Sequence, residues 1–116
     1  MQLTKINGKY ELWLPEHRAA REQWDIKNGG WEVERTEELL NVLKPSDILF
    51  EVGVEEGDLT ALFVKYSNCQ VVMFEPNNRV LPCIKAIWNE NQLPDPMDFV
   101  LGFLSDKNIM HNRIHH

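Results

Sequence analysis

The segment from Asp47 to Pro76, DILFEVGVEEGDLTALFVKYSNCQVVMFEP, constrains the fold more than any other part of the chain. Its first apolar run, Ile48 to Val52, is broken only by Glu51 and leads into Gly53-x-x-x-Gly57. Its second run, Gln70 to Phe74, closes on Glu75. Runs that are apolar at nearly every position are the pattern of central parallel strands covered on both faces. Between them Leu59, Leu62, Phe63 and Tyr66 recur at helical spacing, and Asp58 suits the positive N-terminal end of that helix. Parallel strands require a crossover, and crossovers are almost always right-handed, so the segment predicts one βαβ unit.

Open parallel sheets bind nucleotide-like ligands outside the carboxyl ends of their strands, where glycines admit the ligand to the backbone and an acid holds ribose hydroxyls. Glu75 follows Gly57 by 18 residues. That is close to the roughly 20-residue offset expected of a ribose-binding acid after a glycine turn.

The flanking segments extend the α/β pattern. Leu39, Leu40, Val42 and Leu43 predict a helix over Glu34 to Leu43, stopped by Lys44-Pro45. Val80, Leu81, Ile84, Ile87 and Trp88 predict another, running to about Asn91. Pro82 is tolerated only in a first turn, so its regular part should begin near Leu81. Leu93 to Met97 reads as a loop and Phe99 to Leu104 as a third strand, with Ser105-Asp106-Lys107-Asn108 turning away. Residues 1-30 read as an N-terminal extension or lid with a short helix over Ala19 to Trp24 and a turn at Asn28-Gly29-Gly30. Residues 31-108 read as the ligand-binding domain. The remainder, 109-116, reads as a tail: a natural end, an out-of-frame extension or a cloning scar.

Composition narrows the class. A chain of 116 residues, 43% hydrophobic and 26% charged, suits one small globular core. The net charge of −6, with Lys and Arg scattered singly, argues against a nucleic-acid partner, which needs a concentrated positive surface. No apolar stretch approaches the roughly 18 residues of a spanning helix, so no membrane partner is expected and the cytoplasm is the expected compartment. Cys69 and Cys83 have no metal-ligand spacing and no histidine nearby in sequence, and are expected as reduced thiols. His17, His111, His115 and His116 do not space as a closed metal site, and no metal is expected. Trp24, Trp31 and Trp88 are candidates for a pocket wall, although tryptophan more often serves the core.

The central segment resembles the cofactor half of an S-adenosylmethionine-dependent methyltransferase, most of all the FkbM-like family. There a hydrophobic run, an acid, Gly-x-x-x-Gly and then an acid followed by Pro and Asn recur in this order. Here these are Ile48 to Phe50, Glu51, Gly53, Gly57 and Glu75-Pro76-Asn77. The likeness extends through Asn91 into Ser105-Asp106-Lys107. It implies a Rossmann-like methyltransferase fold, a partial parallel sheet flanked by helices, with S-adenosylmethionine as cofactor and a small-molecule or glycan-like hydroxyl as methyl acceptor. By the same resemblance, Glu51 would hold the methionyl ammonium, Gly53 and Gly57 would admit the cofactor, Glu75 would accept from both ribose hydroxyls, and Asn77 or Asn78 would flank the adenine. Glu55 stands where many methyltransferases carry a glycine or a small polar residue. No catalytic base is identified.

A complete sheet of this family needs considerably more chain, so the domain over 31-108 is expected to be truncated. The alternative function is therefore a cofactor-binding module without catalytic activity, acting as an interaction domain. An exposed sheet edge would then allow homo-oligomers. A nicotinamide-binding Rossmann domain fits less well: Glu55 occupies the second glycine position of its fingerprint, and Glu56 and Asp58 would repel a pyrophosphate.

Overall fold

Three parallel strands form the frame: β3 (Ile48–Val52), β4 (Gln70–Phe74) and β5 (Asp98–Gly102), lying side by side in chain order. A computed structural model describes residues 1–30 and 32–102 and the backbone of 111–114. Ahead of the frame come β1 (Gln2–Ile6), β2 (Tyr10–Leu14), α1 (Glu16–Lys27) and α2 (Val33–Val42). Helix α3 (Asp58–Ser67) crosses from β3 to β4. A 3₁₀ turn at Asn78–Val80 leads into α4 (Leu81–Glu90), which crosses from β4 to β5. The predicted βαβ unit is present, with Ile48 facing Gln70 and Val52 facing Phe74.

Alternation along the strands sorts their side chains onto two faces. Leu49, Val71, Met73, Phe99 and Leu101 pack with Leu62 and Phe63 of α3 and with Ile84, Ile87 and Trp88 of α4. Ile6, Leu12 and Leu14 of the β1–β2 hairpin and Ala19 of α1 join the same core. On the other face Val72, Phe74 and Val100 make a separate small cluster, and Phe50 meets Phe74 edge-on at 6.1 Å between ring centroids.

Three expectations require correction. The run Ile48 to Val52 was expected to be a central strand covered on both faces. Instead, among the described residues β3 is an edge strand paired only with β4, and Phe50 is 65% exposed between Ile48 and Val52, which are also exposed. Its apolar sequence is that of a central strand, but no described helix packs on its second face. The helix expected at Ala19 to Trp24 runs over the whole of Glu16–Lys27, because the carbonyl of Pro15 accepts from the amides of Arg18 and Ala19 and starts the helix earlier. The hairpin before it was not expected at all. Its turn at Asn7-Gly8 takes positive φ at both residues, 53° and 72°, which is the backbone that Asn-Gly favours.

At the far edge β6 (His111–Ile114) pairs antiparallel with β5, where the sequence carries no strand pattern. The expected end of the third strand at Phe103 and Leu104, the turn Ser105 to Asn108 and Trp31 lie outside the described residues. Among those described, no helix is long and apolar enough to cross a membrane.

Candidate functional site

A cavity of about 350 Å³ opens at the carboxyl end of β3, the position where open α/β sheets hold their ligands. One wall is chain that leaves the strand, from Glu51 through Gly53 to Glu56. Next to it is the first turn of α3, Asp58 to Thr60, whose amides lack intrahelical partners. Helix α1 supplies Arg18, Arg21, Glu22 and Asp25, and Glu32 and Arg35 come from the start of α2. Positions 18, 21, 22 and 25 are spaced i, i+3, i+4 and i+7, so one helical face carries this charged stripe into the site.

The lining holds three arginines against seven acids. Arg18 clamps Asp58 through Nε at 3.0 and 2.9 Å and Nη2 at 2.8 Å, and Asp58 is nearly inaccessible. Arg21 reaches Asp25 at 3.3 Å, and Arg35 reaches Glu32 at 2.8 Å. Glu22 is 4% exposed, and its Oε1 has no hydrogen-bond partner among the described residues. Burial, reinforced by the neighbouring Asp58 carboxylate, pushes Glu22 up to about 8. Glu51 is also raised by burial, partly opposed by Arg35.

The residues singled out in the sequence are not all at the cavity. Glu51 and Gly53 line it, whereas Gly57, Glu75 and Asn77 do not belong to the lining. Gly57 caps α3 at φ 90°, and a Cβ there would lie 3.1 Å from Ile84 Cγ1, so glycine serves both the turn and the seating of α3 on α4. The amide of Gly53 donates to the carbonyl of Phe74 at 2.9 Å, so Glu51 and Glu75 share one rim of the sheet.

Glu75 is 5% exposed, and its carboxylate is already engaged. Oε1 accepts from the amide of Glu55 at 2.9 Å and Oε2 from the amide of Asn77 at 2.8 Å, bracing the glycine turn against the turn after β4. Glu55, at φ 57°, holds the left-handed backbone that a glycine adopts at lower cost. Asn77 Oδ1 accepts from the amide of Arg79 at 3.0 Å and caps the 3₁₀ turn, in which Asn78 is exposed. Of the tryptophans, Trp24 is exposed and Trp88 belongs to the core.

No histidine stands near Cys83 in the sequence, but the fold brings one to it. His17 Nε2 lies 2.5 Å from Glu56 Oε2, and Cys83 Sγ donates to the same oxygen at 3.6 Å. Sequence reasoning also missed the charged stripe of α1. Its signal was helical spacing of charges where apolar residues usually stand.

Over 69% of its length the chain superposes on a dimethyladenosine transferase from Plasmodium falciparum, with a TM-score of 0.52 and 17% identity. Over 79% it superposes on a presumed transferase from Pyrococcus horikoshii, with a TM-score of 0.50 and 17% identity. It spans 29% and 32% of those two chains. The fold is thus Rossmann-like, of the methyltransferase type, with a parallel three-stranded sheet and helices packed against it. No family model matches the chain, and no curated relative matches it. The FkbM-like resemblance rests on the motif residues alone.

Proposed function

We propose that the chain binds S-adenosylmethionine in the cavity at the carboxyl end of β3, as the cofactor-holding part of a methyltransferase. One observation carries this reading: an acid-rich cavity bordered by Glu51, Gly53 and the start of α3 lies where this fold receives its ligand. Its volume falls within the roughly 300–1,000 Å³ of small-molecule sites. The donor set suits the cofactor. Glu51 would accept from the methionyl ammonium, whose arrival would return the carboxyl toward its charged form. Arg21 or Arg35 would meet the methionyl carboxylate, while the acidic excess favours a sulfonium over a pyrophosphate. Glu75 already accepts two amides, but each carboxylate oxygen has a second lone pair for a ribose hydroxyl.

When bound, S-adenosylmethionine supplies a methyl carbon activated by its sulfonium leaving group. The chain's own residues would contribute orientation, worth up to roughly 7–11 kcal/mol when reacting atoms are held in line. The FkbM-like motif favours a hydroxyl of a small molecule or glycan as acceptor, and the net charge of −6 supports that choice over RNA. An adenosine acceptor, suggested by the name of the Plasmodium neighbour, is the competing outcome.

A second reading, a cofactor-binding module without transferase activity, is favoured by the edge of β3, which is unpaired among the described residues. Such a module would self-associate through that edge. Calorimetry with S-adenosylhomocysteine tests both readings at once: saturable heat that Glu51→Gln weakens is expected, and a folded sample giving no heat would overturn both. Transfer of labelled methyl to hydroxyl or adenosine acceptors then separates enzyme from module.

A further inference from the structure

We infer that His17, Glu56 and Cys83 form a binding site for a thiophilic divalent metal ion, with zinc as the natural candidate. The three residues are far apart in sequence, on α1, on the glycine turn and on α4, yet one donor atom from each falls within 4.8 Å of the other two. Imidazole, carboxylate and thiolate together are a zinc or cobalt donor set, since magnesium and calcium prefer oxygen alone. Three protein ligands leave the fourth tetrahedral position to water or another ligand.

Two of the three donor separations are close to what a metal requires, and the third lies within 4.8 Å. Metal–ligand bonds of about 2.0–2.3 Å require donor atoms roughly 3.2–3.8 Å apart. Cys83 Sγ and Glu56 Oε2, 3.6 Å apart, already meet this, and His17 must retreat from 2.5 Å by somewhat less than an ångström. The His17 side chain is 60% exposed at the outer start of α1, so it can turn, and the metal can enter from solvent. Arg18 supports the carboxylate, its Nε lying 3.7 Å from Glu56 Oε2. Asp58 binds Arg18 with both oxygens and offsets the cation's repulsion of a metal.

On binding, the metal takes the positions of the protons shared within the trio. The thiol proton leaves to solvent, and the imidazole coordinates in its neutral form. The ion would clip α1, the glycine turn and α4 together, and because Glu56 also lines the cavity it would fix one wall of that site. The inference does not depend on the cofactor reading.

Cobalt(II) titration of the reduced chain tests it, in a background where His111, His115 and His116 are changed to glutamine so that these imidazoles cannot compete. The expected result is a near-ultraviolet thiolate-to-cobalt charge-transfer band with visible bands of a four-coordinate ion. These should saturate at one equivalent and be displaced by zinc. Cys83→Ser should remove the charge-transfer band and Cys69→Ser should retain it. His17→Ala, at an exposed position, should weaken binding by more than the roughly 10–100-fold that losing a group behind the ligands costs. Absence of a charge-transfer band, or its persistence in Cys83→Ser, would overturn the proposal, as would unchanged affinity in His17→Ala.

Discussion

The two faces of the sheet carry similar residues and meet different fates. On the face toward α3 and α4, Val71, Met73 and Phe99 are sealed within a core of more than a dozen buried side chains. On the other, Phe50, Ile48 and Val52 stand exposed beside the small cluster of Val72, Phe74 and Val100. Hydrophobic residues in a strand therefore report what the strand can bury, whereas the packing of helices decides what it does bury. Stability should follow that division.

The largest contrast is expected between Phe63→Ala and Phe50→Ala. Loss of the fully buried Phe63 should cost about 3–5 kcal/mol, whereas the exposed Phe50 should cost less than about 1 kcal/mol. Urea denaturation measures both, and equal losses would break the comparison by showing that the open face is covered in solution.

Next in size is a pH effect on the covered side. Glu22 is raised from 4.5 to about 8, so below about pH 4.5 both folded and unfolded chains hold its proton. Between these values the folded state alone retains it. Stability should therefore fall as pH rises across that window, by up to a few kcal/mol. Glu22→Gln should flatten this part of the stability–pH curve, and an unaltered slope would show that another group titrates there.

Gly57→Ala should cost about 1–3 kcal/mol, combining the strain of φ 90° with contact against Ile84. Glu55→Gly at φ 57° should run the other way, gaining up to about 1 kcal/mol by relieving left-handed backbone. Thermal denaturation of the pair sharpens the comparison, because only the first position presses on the packed face.

The βαβ unit was legible because its burial follows strict periods: two apolar strands and a helix with Leu59, Leu62 and Phe63 inward. The hairpin was less legible because Trp13, Tyr10 and several charges mask a short alternation, Thr4 and Ile6, then Leu12 and Leu14. Its Asn7-Gly8 turn was nonetheless readable. The full length of α1 escaped, although a short helix at Ala19 to Trp24 was expected, because its inner face buries Glu22 and Asp25 where a pattern search expects apolar residues. Glu51 and Gly53, singled out in the sequence as strand-end residues, line the cavity. Arg18, Arg21 and the meeting of His17 with Cys83 depend on how α1 docks, which no local pattern encodes.

The doubly engaged carboxylate of Glu75 joins two stretches of chain 22 residues apart, at Glu55 and at Asn77. Shortening that side chain would release two amides in one stroke, so the pair of strand-end turns is mechanically a single part, held shut from behind by a latch of one residue.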